Sequence, residues 1–488
     1  MRTEGLVYVT ASTREIVLRD VGLGTRQVRE QIAEILGRGA TKAGANNSGV
    51  VDLSIAGSLE QLVRRCENGY IRNWKEAFER GEVSDGEVEL CARSLVAHLL
   101  DAGFSRDHLH GWLLASRDQG KSLGQLLDKA DEMCRRATVS YEVIVPFASL
   151  PQELATAAGE RFLTWDEMVE RVEKDKTSQP PDRKGAGALL FTVEAREPKA
   201  AVEIVEVELR RISARVAIGL AAKKATPSGH VTILSGKRGK WIPLPPRSAN
   251  ILVSSITRYK LLLPAARTPE TTPLDDAFEL LAAVETSTSW ASVAAIWAAV
   301  EGLLARAGEA GAEAADRMAA VVAGGFVRAE LTQLIEVLGV REDFLEGRLG
   351  PASELTQLQK LDLLLAEIEQ DRVDFTESPA DAAAAARVKS ISVDPAGVMI
   401  RVKGYYQDAF RRLFNQRNLL LHGGRFDSVA LPATMRTTPP LVAAGIDRLV
   451  HAAMQEQGTS PFGLAARAKN ELSLLGKPGA RAVHRLLD

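Results

Sequence analysis

The chain has 488 residues, 45 % hydrophobic and 25 % charged, and carries a net charge of −2. That length predicts roughly two to four domains, the composition is that of a globular protein, and the charge balance excludes a molecule that attracts nucleic acid through its overall field. Cys66, Cys91 and Cys134 form no CxxC pair, which argues against a disulfide framework or a cysteine zinc site.

Along the chain, Leu6 to Thr10 reads as a short extended start and Ser58 as a helix cap with Gln61 three positions later. Apolar spacings of three and four predict helices over 86–102 and 121–136, with a turn at Phe104 to Leu109 capping a further short helix. The pattern then changes. Val139 to Phe147 alternates as a strand, Leu189 to Ala195 reads as a second strand, and a long helix is expected from Pro198 to about Ala222. His230 to Leu234 and Ile251 to Ser254 are further strand expectations, and Lys176 to Gly185 reads as a surface loop. Beyond Pro273 the chain is Ala-rich, with helices expected at 274–285, 289–307, 311–323, 327–338, 354–370, 403–421 and 440–455; Asp381 to Arg387 reads as either helix or linker. The fold class is therefore α+β and mainly helical. A helical N-terminal domain (1–137), a small central α/β domain (138–264), an all-α C-terminal domain (275–455) and a tail (456–488) are expected. No apolar run of about 18 residues suggests a membrane span, and Met1 to Leu6 has no secretory apolar core, so the expected compartment is the cytoplasm.

The chemistry-bearing stretch is Arg417-Asn418-Leu419-Leu420-Leu421-His422, followed by Gly423-Gly424. Two glycines form a helix stop, which places His422 near the last turn, where unpaired carbonyls favour an imidazolium. Asn418 and His422 lie about 40° apart on a helix and can touch, whereas Arg417 and His422 lie about 140° apart. One helix is therefore not expected to close an Arg–His site; two facing copies would. Arginine would clamp a phosphate and offset developing charge, and histidine would move protons.

This stretch resembles the R-[polar]-x3-H motif of the HEPN superfamily. Trp297-Ala298-Ala299-Val300-Glu301-Gly302-Leu303-Leu304 resembles the early helix of Apea-like HEPN domains. The resemblance covers about 275–455. It implies a helical bundle that dimerises, or forms higher even oligomers, through the motif helix. It also implies a metal-independent endoribonuclease without cofactor that leaves 2′,3′-cyclic phosphate ends, acting in bacterial abortive infection against phage. Arg417, Asn418 and His422 would be the functional positions and Glu301 a supporting acid; a phage-derived trigger or partner subunit is a further expectation. The alternative is a non-catalytic nucleic-acid-binding sensor or a dimerisation scaffold, with His422 merely capping a helix beside a surface arginine.

Arg93 and His98 also fit the spacing, but Leu99-Leu100 continue that helix and no glycine stop follows. From Leu209 to Pro269 there is no Asp or Glu, while Lys223, Lys224, Lys237, Arg238, Lys240, Arg258 and Lys260 accumulate beside Trp241. These residues read as a nucleic-acid-binding face, or as cations paired with acids such as Glu203, Glu206 and Glu208. His108 and His110 are half of a metal pattern that nothing nearby completes. No G-x4-GK-[ST] run is present, so a phosphate-binding loop is not expected. His451 is read as structural.

Overall fold

The structure is a computed structural model and describes residues 14, 16–45, 57, 60–62, 64, 69–83, 85–174, 184–220, 223–234, 241–244, 251–262, 272–284, 287–306, 308–309, 311–339, 355–375, 378–424, 428, 430–455 and 459–487. The expected extended start at Leu6 to Thr10, the cap at Ser58 and the loop over 176–183 lie outside these residues. The chain is mostly helical with one small antiparallel sheet, and it divides into two compact units, 1–245 and 246–488.

The first unit opens with helices α1 (Arg26–Ala45), α2 (Tyr70–Glu79), α3 (Asp85–Asp101), α4 (Arg106–Asp118) and α5 (Leu123–Arg135). Local chemistry sets their starts. The Ser105 hydroxyl accepts from the N–H of His108, and Ser122 and Gln125 exchange a reciprocal capping box. Their apolar faces close on Trp74, Ile71, Leu36, Leu99, Leu109, Leu127 and Met133.

The sheet follows: β1 (Val139–Ser149), β2 (Phe162–Leu163), β3 (Gly187–Ala195), β4 (Thr226–Pro227), β5 (His230–Leu234) and β6 (Trp241–Pro243), ordered β2-β3-β1-β5-β6 with β4 on β1. Alternation along β1 sends Val143, Val145 and Phe147 to one face, under α8 (Pro198–Gly219). It sends Ile144 to the other, under α7 (Trp165–Lys174). Helix α6 (Gln152–Ala158) lies within the β1–β2 connection. Buried Glu197 caps α8 through the N–H groups of Lys199 and Ala200 and also accepts from the N–H of Ser105. One carboxylate thus fixes the start of α8 to the start of α4.

The second unit is helical: α9 (Ser254–Arg258), α10 (Thr272–Val284), α11 (Ser289–Leu304), α12 (Ala312–Gly339), α13 (Gln357–Glu369), α14 (Pro379–Val393), α15 (Pro395–Gly423), α16 (Leu431–Gln455) and α17 (Pro461–Leu474). Helix α12 is the axis. It packs against α11, α13, α14, α15, α16 and α17, with Ala314, Ala315, Met318, Ala319, Val321, Ala323, Val327 and Leu331 buried. Among the described residues it alone is long and apolar enough to cross a membrane, and most of that apolar stretch is covered by the other helices. The sequence shows no uninterrupted apolar run there because Asp316, Arg317, Arg328 and Glu330 break it up.

Several expectations change here. Ile251 to Ser254 is not a strand: Ser254 opens α9, where Asp447 accepts from the hydroxyl of Ser254 and the N–H of Ser255. Residues 251–262, expected in the central domain, therefore belong to the second unit. The expected helices 311–323 and 327–338 are one, because Gly324-Gly325 is a docking notch rather than a break. A Cβ at Gly324 would come within 2.8 Å of Leu487. Helix α16 starts nine residues before the expected 440 and runs through Pro439-Pro440, with the hydroxyls of Thr434, Thr437 and Thr438 bonded to carbonyls one turn back. Asp381 to Arg387 is helix. The expected tail carries α17, and Leu464, Val483, Leu486 and Leu487 join the core.

Candidate functional site

Helix α15 carries the Arg417–His422 stretch. It begins at Pro395, with Asp394 accepting from the N–H of Gly397. It ends at Gly423, where Gly424 adopts a left-handed conformation (φ 59°) and its N–H returns to the carbonyl of Leu419. Glycine occupies that region without a Cβ penalty. His422 therefore sits in the last turn, exposed. Phe410, Leu413, Gln416 and Leu420 face the core, which leaves Arg417 and Asn418 half-buried at the edge of that face.

Two contacts hold this end of α15 against α11. The rings of Trp297 and Phe414 lie 5.1 Å apart. One turn further along each helix, the Arg417 Nη2 lies 3.7 Å from Glu301 Oε2. The aromatic pair fixes the spacing of the helices, and the ion pair aims the guanidinium. Arg417 Nη1 reaches both Asn418 Oδ1 (3.1 Å) and His422 Nε2 (3.3 Å).

The expectation that a single helix would not bring Arg417 and His422 together is overturned. Side chains on a helix tilt toward its N-terminus, so the imidazole leans back over the turn before it. The long arginine side chain spans the remaining angle and a rise of roughly 7.5 Å. Asn418, in turn, meets Arg417 rather than His422. A guanidinium only donates, so His422 Nε2 is the acceptor in this bond, a role open to a neutral ring whose proton is on Nδ1. The arrangement offers a cationic donor fork and an imidazole with a transferable proton at one exposed helix end. Both are suited to an anion that gains charge as it reacts.

The other sequence-derived residues fall differently. Lys237, Arg238 and Lys240 lie outside the described residues. Lys223 pairs with Glu153, and Lys224 is exposed. Arg258 points at the hydroxyl of Ser254, 3.3 Å away, and Lys260 occupies a left-handed turn position. Lys223 and Lys224 belong to the first unit, Arg258 and Lys260 to the second, so no single unit carries the whole basic set. Part of the stretch pairs with nearby acids, at Arg210–Glu206 (2.5 Å) and Arg211–Glu208 (2.6 Å).

Arg93 and His98 do not meet. Arg93 pairs with Glu89, and His98 stacks on Tyr70 at 4.8 Å, where burial pushes its pKa below the usual histidine value. His108 stacks on Phe104 and lies 3.6 Å from Glu197. Among the described residues no group of three or more His, Cys, Asp or Glu side chains is placed to hold a metal. Sequence reasoning missed Phe414, whose only signal was an aromatic three positions before the arginine. It also missed the His451–Tyr259 pair, in which the tyrosine hydroxyl lies 2.6 Å from Nδ1. These two residues are 192 positions apart, and no local pattern announces them. No family model matches the chain, and no curated protein or solved structure does either.

Proposed function

We propose that the second unit is a HEPN-type endoribonuclease domain acting at Arg417, Asn418 and His422. The observation that carries this reading is the Arg417–His422 contact at an exposed helix end, with Glu301 holding the arginine from behind. In the reaction, His422 Nε2 takes the proton of a ribose 2′-hydroxyl while the guanidinium turns to the phosphate. The 2′-oxygen bonds to phosphorus, the bond from phosphorus to the 5′-oxygen breaks, and a protonated imidazole from a second copy's His422 supplies the leaving oxygen with its proton. The products are a 2′,3′-cyclic phosphate and a 5′-hydroxyl, and the chemistry calls on no metal.

Exposed Leu419 and Leu421 flank the histidine and support a two-fold assembly in which two such helix ends face each other. In this reading a helical N-terminal part (1–137) and a central α/β part (138–264) recruit RNA or restrain the nuclease in the cytoplasm. The whole would serve as an effector of bacterial anti-phage abortive infection.

The test is incubation of the full chain with total bacterial RNA in EDTA, with mapping of the new ends. Arg417→Ala and His422→Ala should abolish cyclic-phosphate ends, and Arg93→Ala, a surface change on α3, should leave them. Absence of cleavage both in vitro and in phage-infected cells would sink the catalytic reading. The same exposed leucines would then support the second one, a dimerisation scaffold or nucleic-acid-binding sensor.

A further inference from the structure

The first unit contains a cavity of about 460 Å³ between α6, β3 and the C-terminal half of α8, a size within the range of roughly 300–1,000 Å³ found for small-molecule sites. Its apolar wall follows from two periodicities. Leu189 and Phe191, two apart on β3, face the same side of the sheet and are buried. Ile212 and Val216, one turn apart on α8, face them. Leu154 of α6 completes the wall, half-buried. Gly219 and Leu220, at the end of α8, also line the space.

Two cations stand at the cavity, Arg161 from the turn before β2 and Arg215 of α8, and both are exposed. Neither has an acidic partner among the described residues, and the one carboxylate of the lining, Glu153, is taken by Lys223. Several other exposed arginines of this unit pair with acids, as in Arg80–Glu82 at 2.8 Å, Arg93–Glu89 at 2.5 Å and Arg211–Glu208 at 2.6 Å. An apolar pocket edged by two guanidiniums without counter-charges complements a molecule with an apolar body and an anionic head. Arginine's planar fork suits a carboxylate or phosphate in particular.

We propose that this cavity binds a small amphipathic anion, its carboxylate or phosphate head between Arg161 and Arg215 and its apolar body on Leu189, Phe191, Ile212 and Val216. The site is independent of the nuclease reading. It gives the first unit a ligand of its own.

The experiment is isothermal titration of the full chain with octanoate and octyl phosphate, alongside octanol (same chain, no charge) and octyltrimethylammonium (same chain, opposite charge). Saturable one-to-one binding of at least one anion is expected, with the two neutral and cationic probes at least tenfold weaker; the tighter anion identifies the head group. Replacing both cations, Arg161→Gln with Arg215→Gln, should weaken the anion at least tenfold without loss of fold, since both side chains are exposed. Ala157→Trp, an exposed lip position that fills the cavity from outside, should abolish binding. The proposal is overturned if neither anion saturates, if octanol or the cation binds as tightly, or if Ala157→Trp leaves binding unchanged.

Discussion

Arg417 Nη1 lies 3.3 Å from Nε2 of His422, five residues further along the same helix. In the proposed nuclease this contact would make the two residues work as one unit. Replacing either by alanine is expected to reduce RNA cleavage by about 10²–10⁴-fold. Arg417→Lys should rescue little, because an ammonium keeps the charge but loses the planar fork. His422 is exposed and Arg417 half-buried with only a long ion pair to Glu301, so thermal denaturation should show midpoints within a few degrees of the parent's. A large drop in the midpoint would mean the residues act on folding instead.

In the proposed reaction Glu301 would act through Arg417, as a positioning residue. Its pair with Arg417 is 3.7 Å long and partly exposed, so Glu301→Gln should change stability by less than about 1 kcal/mol. Misplacing the guanidinium should nonetheless slow turnover about 10- to 100-fold. The loss should fall on kcat rather than KM, with partial recovery in Glu301→Asp. A change confined to KM would assign the glutamate to substrate binding.

The proposed two-fold contact rests on Leu419 and Leu421, 39 % and 57 % exposed beside His422. Leu421→Asp would set like charges against each other across such an axis. Light scattering should then report a monomer where the parent is a dimer, and cleavage should fall with it. An unchanged mass would place the interface elsewhere.

Trp297 is almost completely buried and carries the packing beneath the site. Truncation to alanine should cost about 3–5 kcal/mol. Its indole N–H has no acceptor among the described residues, so Trp297→Phe, which keeps most of the aromatic packing and leaves a smaller cavity, should cost clearly less than the alanine truncation. Urea denaturation of the two variants checks the ratio. Equal losses would point to a hidden hydrogen bond.

Two histidines should make the fold sensitive to acid. Burial lowers the pKa of His98. Burial, reinforced by Arg448, Arg328 and Arg258 and opposed by Asp447, lowers that of His451. A lowered folded-state value means the unfolded chain takes up protons first as pH falls. Their stabilising contribution is therefore complete above the ordinary histidine value of about 6.5 and is lost progressively below it. A protonated His451 can only donate through Nδ1, so the Tyr259 hydroxyl, which already accepts a hydrogen bond from Gln455 Nε2, would have to accept a second. Urea midpoints should decline from pH 7 to pH 5, and His451→Gln should flatten the part of the curve that reports the second unit. A slope unchanged in that variant would remove His451 from the account.

The sequence by itself determined what short-range chemistry dictates. Apolar spacing over 121–136 predicts α5, Pro198 opens α8, Gly423-Gly424 stops α15, and the alternation from Val139 to Phe147 gives β1 its two faces. Each depends on neighbours within a few residues, where steric and hydrogen-bonding preferences are nearly independent of the rest of the chain. Tertiary structure decided the rest. Gly324-Gly325 and Pro439-Pro440 look like helix breaks, yet the helices continue, because the glycines admit neighbouring side chains and packed helices around α16 outweigh the lost N–H groups. The Trp297–Phe414 and Glu301–Arg417 contacts join helices more than 100 residues apart in sequence. The cavity beside Arg161 and Arg215 is lined jointly by α6, β3 and α8, segments far apart in sequence. Spacing along one helix fixes angles, but the reach of a long side chain and the wall behind it decide which groups meet.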